Sequence, residues 1–189
     1  MRNAAFLLVG FALILVQSNL FRLTCLLHRL FAWTSHFYAD TNALHLTNWT
    51  PQLALPLIVF MGVHEYSVVR GAAIVFTLGY LTDLIGIAPV GLFTFTYVAM
   101  FLLARAAGVR LAAQTTMMQV LLALGFALLH GVTILVLLAI FGRDPYVPRA
   151  LYRLLLQHVL ATAAVAPLVF RIAQRLHVAT TARGAEGAA

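Results

Sequence analysis

The sequence predicts an all-α chain, a polytopic membrane bundle of about six transmembrane helices, and three observations predict it. Hydrophobic residues make up 63% of the chain and charged residues only 9%, whereas water-soluble domains are nearer half apolar and a quarter charged. The mean hydropathy is +0.98, and several apolar runs approach the roughly 20 residues a helix needs to cross about 30 Å of hydrocarbon. No strand alternation runs long enough for a barrel, and no tandem repeat is visible.

Candidate spans follow in order at about 4–20, 51–64, 71–87, 89–107, 116–141 and 152–170. The first, M-R-N-A-A-F-L-L-V-G-F-A-L-I-L-V, imitates a signal peptide. No clear small-residue cleavage site follows, so a retained span is expected, although Gln17-Ser18-Asn19 leaves a cleaved leader open. The second is short for a crossing and has Pro51 and Pro56 in its first turns, which leaves a tilted span or a five-span chain as alternatives. The third and fourth are separated only by Gly86-Ile87-Ala88-Pro89, a tight reversal. Residues 1–175 read as a single integral membrane domain, and 176–189, ending A-T-T-A-R-G-A-E-G-A-A, as a polar and mobile cytoplasmic tail.

Twelve arginines and no lysine face five acids, giving a net charge of +7. In a soluble protein that excess would suggest nucleic acid. Here the arginines sit between or beside apolar runs, so they read as topology determinants and contacts to lipid headgroups, with no nucleic-acid partner. Alternating the loops places Arg2, Arg70, Arg105, Arg110, Arg171, Arg175 and Arg183 on the side of the N-terminus, and Arg22, Arg29, Arg143, Arg149 and Arg153 on the other. The bias puts both termini in the cytoplasm. Cys25 is the only cysteine, so no intrachain disulfide forms.

The connection 21–50 is the longest. Arg22, Arg29 and His36 recur every seven residues among Leu23, Leu26, Leu27, Leu30, Phe31 and Phe37. A helix with that pattern either lies at the interface as a basic stripe for a partner or anionic lipid, or continues and anchors the first span.

The inventory of chemistry is short. The sequence holds no H-E-x-x-H, no G-x-S-x-G, no phosphate-cradling glycine loop and no cysteine pair. No catalytic residue, metal ligand or cofactor site is predicted. Inside the expected hydrocarbon layer the ionisable residues are Asp83, His130 and His158. Such residues are costly in lipid and face protein or a polar cavity. By helix rise, Asp83 lies roughly 18 Å and His130 roughly 21 Å from the cytoplasmic starts of their spans, and His158 about 9 Å from the opposite face. All three therefore fall at one level in the outer half of the membrane. Two readings stay open: Asp83 pairs with His130 or His158 across a helix interface, or Asp83 caps the end of its own helix before Gly86, with the histidines bonding nearby hydroxyls or carbonyls.

The stretch G-Y-L-T-D-L-I-G-I-A-P-V-G, 79–91, reads as helix, reversal, helix. Gly79 shares a face with Asp83 and admits a neighbouring backbone. Gly86 ends one helix, Pro89 starts the next, and Gly91 falls within its first turn.

Gly79-x-x-x-Asp83-Leu84-x-Gly86 followed by Pro89-x-Gly91 resembles the central motif of the rod shape-determining protein MreD family. Pro51 opening an apolar span, Arg70-Gly71 beginning the motif-bearing span, and Pro167 with Arg171 and Arg175 fit the same order. The similarity covers residues 51–110 best; the connection 21–50 is longer than is usual for the family. The resemblance implies a non-enzymatic scaffold of the bacterial inner membrane. Its partners would be the bitopic protein MreC and, through it, MreB and the RodA and penicillin-binding-protein synthases. The family is distantly similar to substrate-binding S components of energy-coupling-factor transporters. That relation implies a six-helix architecture, and a vitamin-like small-molecule binding subunit as the alternative function.

Overall fold

In the computed structural model of the chain, residues 2–34, 51–64, 67–86, 89–107, 115–141 and 146–186 are described. Side chains are placed for 3–20, 51–64, 67–86, 89–107, 115, 117–141 and 155–180. The described residues form six α-helices: α1 Arg2–Thr34, α2 Ala54–Val63, α3 Val68–Ile85, α4 Leu92–Ala106, α5 Thr116–Phe141 and α6 Tyr146–Glu186. Four of them, α1, α3, α5 and α6, are long and apolar enough to cross a membrane.

The second candidate span is the exception and the centre of the fold. All ten residues of α2, A-L-P-L-I-V-F-M-G-V, are buried, and α2 touches each of the other five helices. A helix that is apolar on every face belongs either in lipid or in a protein core, and this one is enclosed by its neighbours. At 1.5 Å per residue it rises roughly 15 Å, about half of the hydrocarbon layer. Pro56 is its third helical residue, where a missing N–H costs no internal bond. The N-terminal amides before it are supplied from outside: Gln52 N–H donates to Thr162 Oγ1 on α6 at 3.0 Å, and Leu53 N–H to Gln17 Oε1 on α1 at 3.0 Å.

Polar side chains in the other helices are spent locally or on such links. Ser18 Oγ and Asn19 Nδ2 both donate to Leu15 O, while Gln17 is left to reach α2. Thr77 and Thr133 return their hydroxyls to carbonyls one turn back, the usual resort of a threonine in a helix surrounded by apolar groups.

Two boundaries bear on the sequence reading: the first matches the alternative in which 21–50 continues the first span, and the second differs from it. The helix α1 continues through Thr34, so Arg22 and Arg29 belong to one unbroken helix, while His36 lies outside the described residues. The helix α6 continues past 175 to Glu186, with Pro167 inside it. Residues 176–183, L-H-V-A-T-T-A-R, contain neither proline nor glycine. Extending a formed helix through such residues costs little, because nucleation has already been met.

The strongest pairings are the hairpins α3–α4 and α5–α6. The tight α3–α4 hairpin carries the candidate site.

Candidate functional site

The reversal between α3 and α4 is built on one left-handed glycine. Gly91 has φ +98° and ψ −14°, a conformation side chains rarely adopt. With Leu92 N–H donating to Pro89 O at 3.2 Å, residues 89–92 close a turn whose third position requires it. A left-handed residue cannot belong to a right-handed helix, so α4 starts at Leu92 with Gly91 as its N-cap. Pro89 therefore stands in the turn before α4 rather than at its first position. Gly86 ends α3 as expected, its N–H donating to Thr82 O at 2.9 Å.

This choice of N-cap creates a problem and Asp83 solves it. An N-cap residue normally turns a side-chain oxygen onto the amides two and three places on, but glycine has none. Asp83, near the end of α3, supplies the oxygens from across the hairpin. Its Oδ1 accepts from Phe93 N–H at 2.9 Å; its Oδ2 accepts from Gly91 N–H at 2.9 Å, Thr94 N–H at 3.0 Å and the Thr94 hydroxyl at 2.6 Å. Together with the Leu92 bond to Pro89, every amide from Gly91 to Thr94 has an acceptor. The carboxylate is 2% exposed. Its charge is met by the positive end of the α4 dipole and by four donors, which is how a buried carboxylate is tolerated without a cation.

Neither earlier reading of Asp83 described this arrangement. The carboxylate bonds neither His130 nor His158, and it caps the start of the next helix rather than the end of its own. His130 is fully buried beside the hairpin, its ring 6.1 Å from Phe93 and 5.5 Å from Tyr97, with His158 as a near neighbour on α6. Phe93 thus stands between the two groups, its backbone N–H on Asp83 and its ring against His130, with no bond from the carboxylate to either histidine.

Gly79 has the role its position suggests. A Cβ built there would stand 2.6 Å from Thr94 Cα and 3.0 Å from Thr94 N. The absence of a side chain lets the α4 backbone come within reach of Asp83 one turn further along α3. Thr94 is thus contacted from two sides, by the Gly79 backbone and by the Asp83 carboxylate. The sequence reading missed Thr94 and Tyr97; a threonine three residues after a reversal glycine, facing an aspartate on the preceding helix, is the signal that identifies the former.

At the opposite end of the bundle His64 stacks on Phe60 with ring centres 3.9 Å apart, and its Nδ1 lies 3.1 Å from Phe60 O, with the His177 ring 6.0 Å away. On α6, Arg171 and Arg175 line a shallow recess with Gln174, Val178 and Ala179, placed where headgroup contacts are expected. Among the described residues no three His, Cys, Asp or Glu side chains gather that could hold a metal ion.

Fold and site together define an α-helical bundle with four helices able to cross a membrane and a carboxylate-capped helical hairpin at its core. No family model, no curated protein and no solved structure matches the chain.

Proposed function

We propose that this chain is a non-enzymatic scaffold of a bacterial inner membrane, of the MreD type, with both termini in the cytoplasm. In this reading it partners an MreC-like bitopic protein and links MreB to the RodA and penicillin-binding-protein synthases in cell elongation. The observation that carries the reading is the use made of Asp83. All four of its hydrogen bonds go to α4 within the same hairpin, so the motif behind the family resemblance is spent on architecture. Asp83 is 2% exposed, so a carboxylate so occupied is not open to a substrate from outside the hairpin. What the hairpin presents outward is apolar helix surface: Phe76, Tyr80 and Leu84 are exposed one turn apart along α3, and Phe95 on α4. In a membrane such a surface meets lipid or the span of another protein.

The test is affinity purification of the tagged full chain from membranes of its own host, with the bound proteins identified, beside depletion of the chain in growing cells. The reading expects an MreC-like protein in the eluate and rounding of rod cells on depletion. An eluate without such a partner, from cells whose shape survives depletion, overturns it. A retained small molecule together with an energising module would move the assignment to the transporter-subunit alternative.

A further inference from the structure

Beyond Pro167 the helix α6 has two unlike sides. Its inner side packs on the enclosed α2: Phe170 meets Phe60 edge to face with ring centres 6.0 Å apart, the His177 ring lies 6.0 Å from His64, and Ala173 is fully buried. Its outer side carries Arg171, Gln174, Arg175, Val178 and Ala179, all exposed, and steps of three and four residues place them on one face. Those residues line a recess of about 430 Å³.

Two observations say what the recess meets. The first is the surface that leads to it. Leu156, Leu160, Ala164 and Leu168 are exposed at every fourth residue of α6, and the strip ends one turn before Arg171. It rises roughly 18 Å along the helix, about the depth of one leaflet. The second is charge. Neither guanidinium has a carboxylate partner among the described residues: of the five acids in the chain, Asp83 is the one whose side chain is described, and it caps α4 at the opposite end of the bundle. A face that is apolar at membrane depth and doubly cationic at its foot complements a molecule in which an acyl chain is followed by an anion.

We propose that Arg171, Gln174 and Arg175 form a site for one anionic phospholipid of the leaflet at that end, its phosphodiester held by the two guanidiniums and an acyl chain laid along Leu168, Ala164 and Leu160. Paired N–H groups match phosphate oxygens, which is why arginine serves here better than a point charge. A headgroup that carries an amine brings a cation to a place with no described acid to receive it, whereas a glycerol-type headgroup brings hydroxyls that the Gln174 carboxamide bonds. The class is therefore a phosphatidylglycerol-like lipid. Positive charge spread over a membrane surface attracts anionic lipid without choosing a position; this site is set apart by two arginines one turn apart at the foot of a single apolar strip. It goes beyond the scaffold reading and is independent of it, since it lies on α6 and uses none of the α3–α4 surface.

The full chain, purified in a neutral detergent, is titrated with phosphatidylglycerol or phosphatidylcholine of identical acyl chains, and bound lipids are counted by native mass spectrometry. One phosphatidylglycerol is expected to bind about 10-fold more tightly than phosphatidylcholine, and Arg171→Gln and Arg175→Gln should each weaken it about fivefold, the factor for one guanidinium near an anionic surface. Arg70→Gln is the control, because Arg70 is exposed near the start of α3 at the same end of the bundle and lies outside the recess; it should leave the affinity unchanged. Equal binding of the two lipids overturns the proposal, and so does equal weakening by Arg70→Gln, which would mean diffuse attraction. Displacement of the lipid by millimolar inorganic phosphate overturns the lipid assignment in favour of a free anion. The comparison of lipids on the parent chain decides the headgroup even where a variant elutes differently from it.

Discussion

Asp83 on α3 holds Thr94 on α4 twice, through the backbone N–H at 3.0 Å and the side-chain hydroxyl at 2.6 Å, both at Oδ2. The pair is separated by eleven residues and a helix reversal. It joins two helices at a depth where water does not compete for either group, and it lets a glycine serve as N-cap. The stability of the hairpin therefore rests on a side chain outside the helix it caps.

Asp83→Asn keeps the shape and removes the symmetry of acceptors. One carboxamide end is a donor, and it must face amides that are donors too. Loss of about 1–3 kcal/mol is expected, the range for a buried hydrogen-bonding group left unmatched. Thermal unfolding of the purified chain in one detergent measures it; an unchanged midpoint would mean the cap contributes nothing.

The partner of Asp83 can be separated from its neighbour by two double-mutant cycles. Asp83→Asn with Thr94→Val should couple by about 0.5–3 kcal/mol, as residues in one hydrogen-bond network do. Asp83→Asn with His130→Phe should be additive to within about 0.5 kcal/mol, because no bond links them. The opposite pattern would restore the carboxylate–imidazole pairing as the main interaction.

Three glycines separate space from backbone conformation. Gly79→Ala places a methyl 2.6 Å from a backbone atom of α4, and overpacking of that kind costs about 1–3 kcal/mol. Gly91→Ala meets nothing within 4 Å but must hold φ +98°, a left-handed conformation that costs about 1–2 kcal/mol. Gly125→Ala has open space and an ordinary helical backbone, so it should be neutral or gain up to about 1 kcal/mol from helix propensity. Unfolding midpoints should rank Gly125→Ala highest; Gly79→Ala should also weaken the effect of Asp83→Asn, since it moves Thr94 off the carboxylate.

Much of this hairpin is legible in the sequence. Gly79 four residues before Asp83, then Gly86, Pro89 and Gly91, states a close approach and a reversal in an apolar chain. The direction of the Asp83 side chain is not legible, because reaching residues eight to eleven places on depends on the left-handed turn at Gly91. Apolar character also fails to reveal depth. The run 51–64 and the other spans look alike in composition, yet α2 is a ten-residue helix wholly enclosed by protein, and the hints of that were its short length and its two prolines, Pro51 and Pro56. The long end of α1 matches the reading in which 21–50 continues the first span; the long end of α6 was missed because 176–183 is polar rather than apolar, and polarity alone does not stop a helix.

The enclosed α2 gives the last prediction, since its N-terminus depends on two side chains from other helices. Thr162 Oγ1 accepts Gln52 N–H while donating to His158 O at 2.7 Å, so one hydroxyl serves two buried backbone groups. Thr162→Val keeps the shape and orphans the amide, whereas Thr162→Ser keeps the hydroxyl and loses only a methyl. The valine variant should lose about 1–3 kcal/mol and the serine variant less than about 1.5 kcal/mol, the cost of one buried methyl. Gln17→Leu removes the acceptor of Leu53 N–H and should act like the valine change, the two together unfastening α2 from α1 and α6. Proteolysis and thermal unfolding of the three variants in the same detergent test this. If Thr162→Val proves as stable as Thr162→Ser, the amides before α2 find other acceptors and the enclosed helix is held by packing alone.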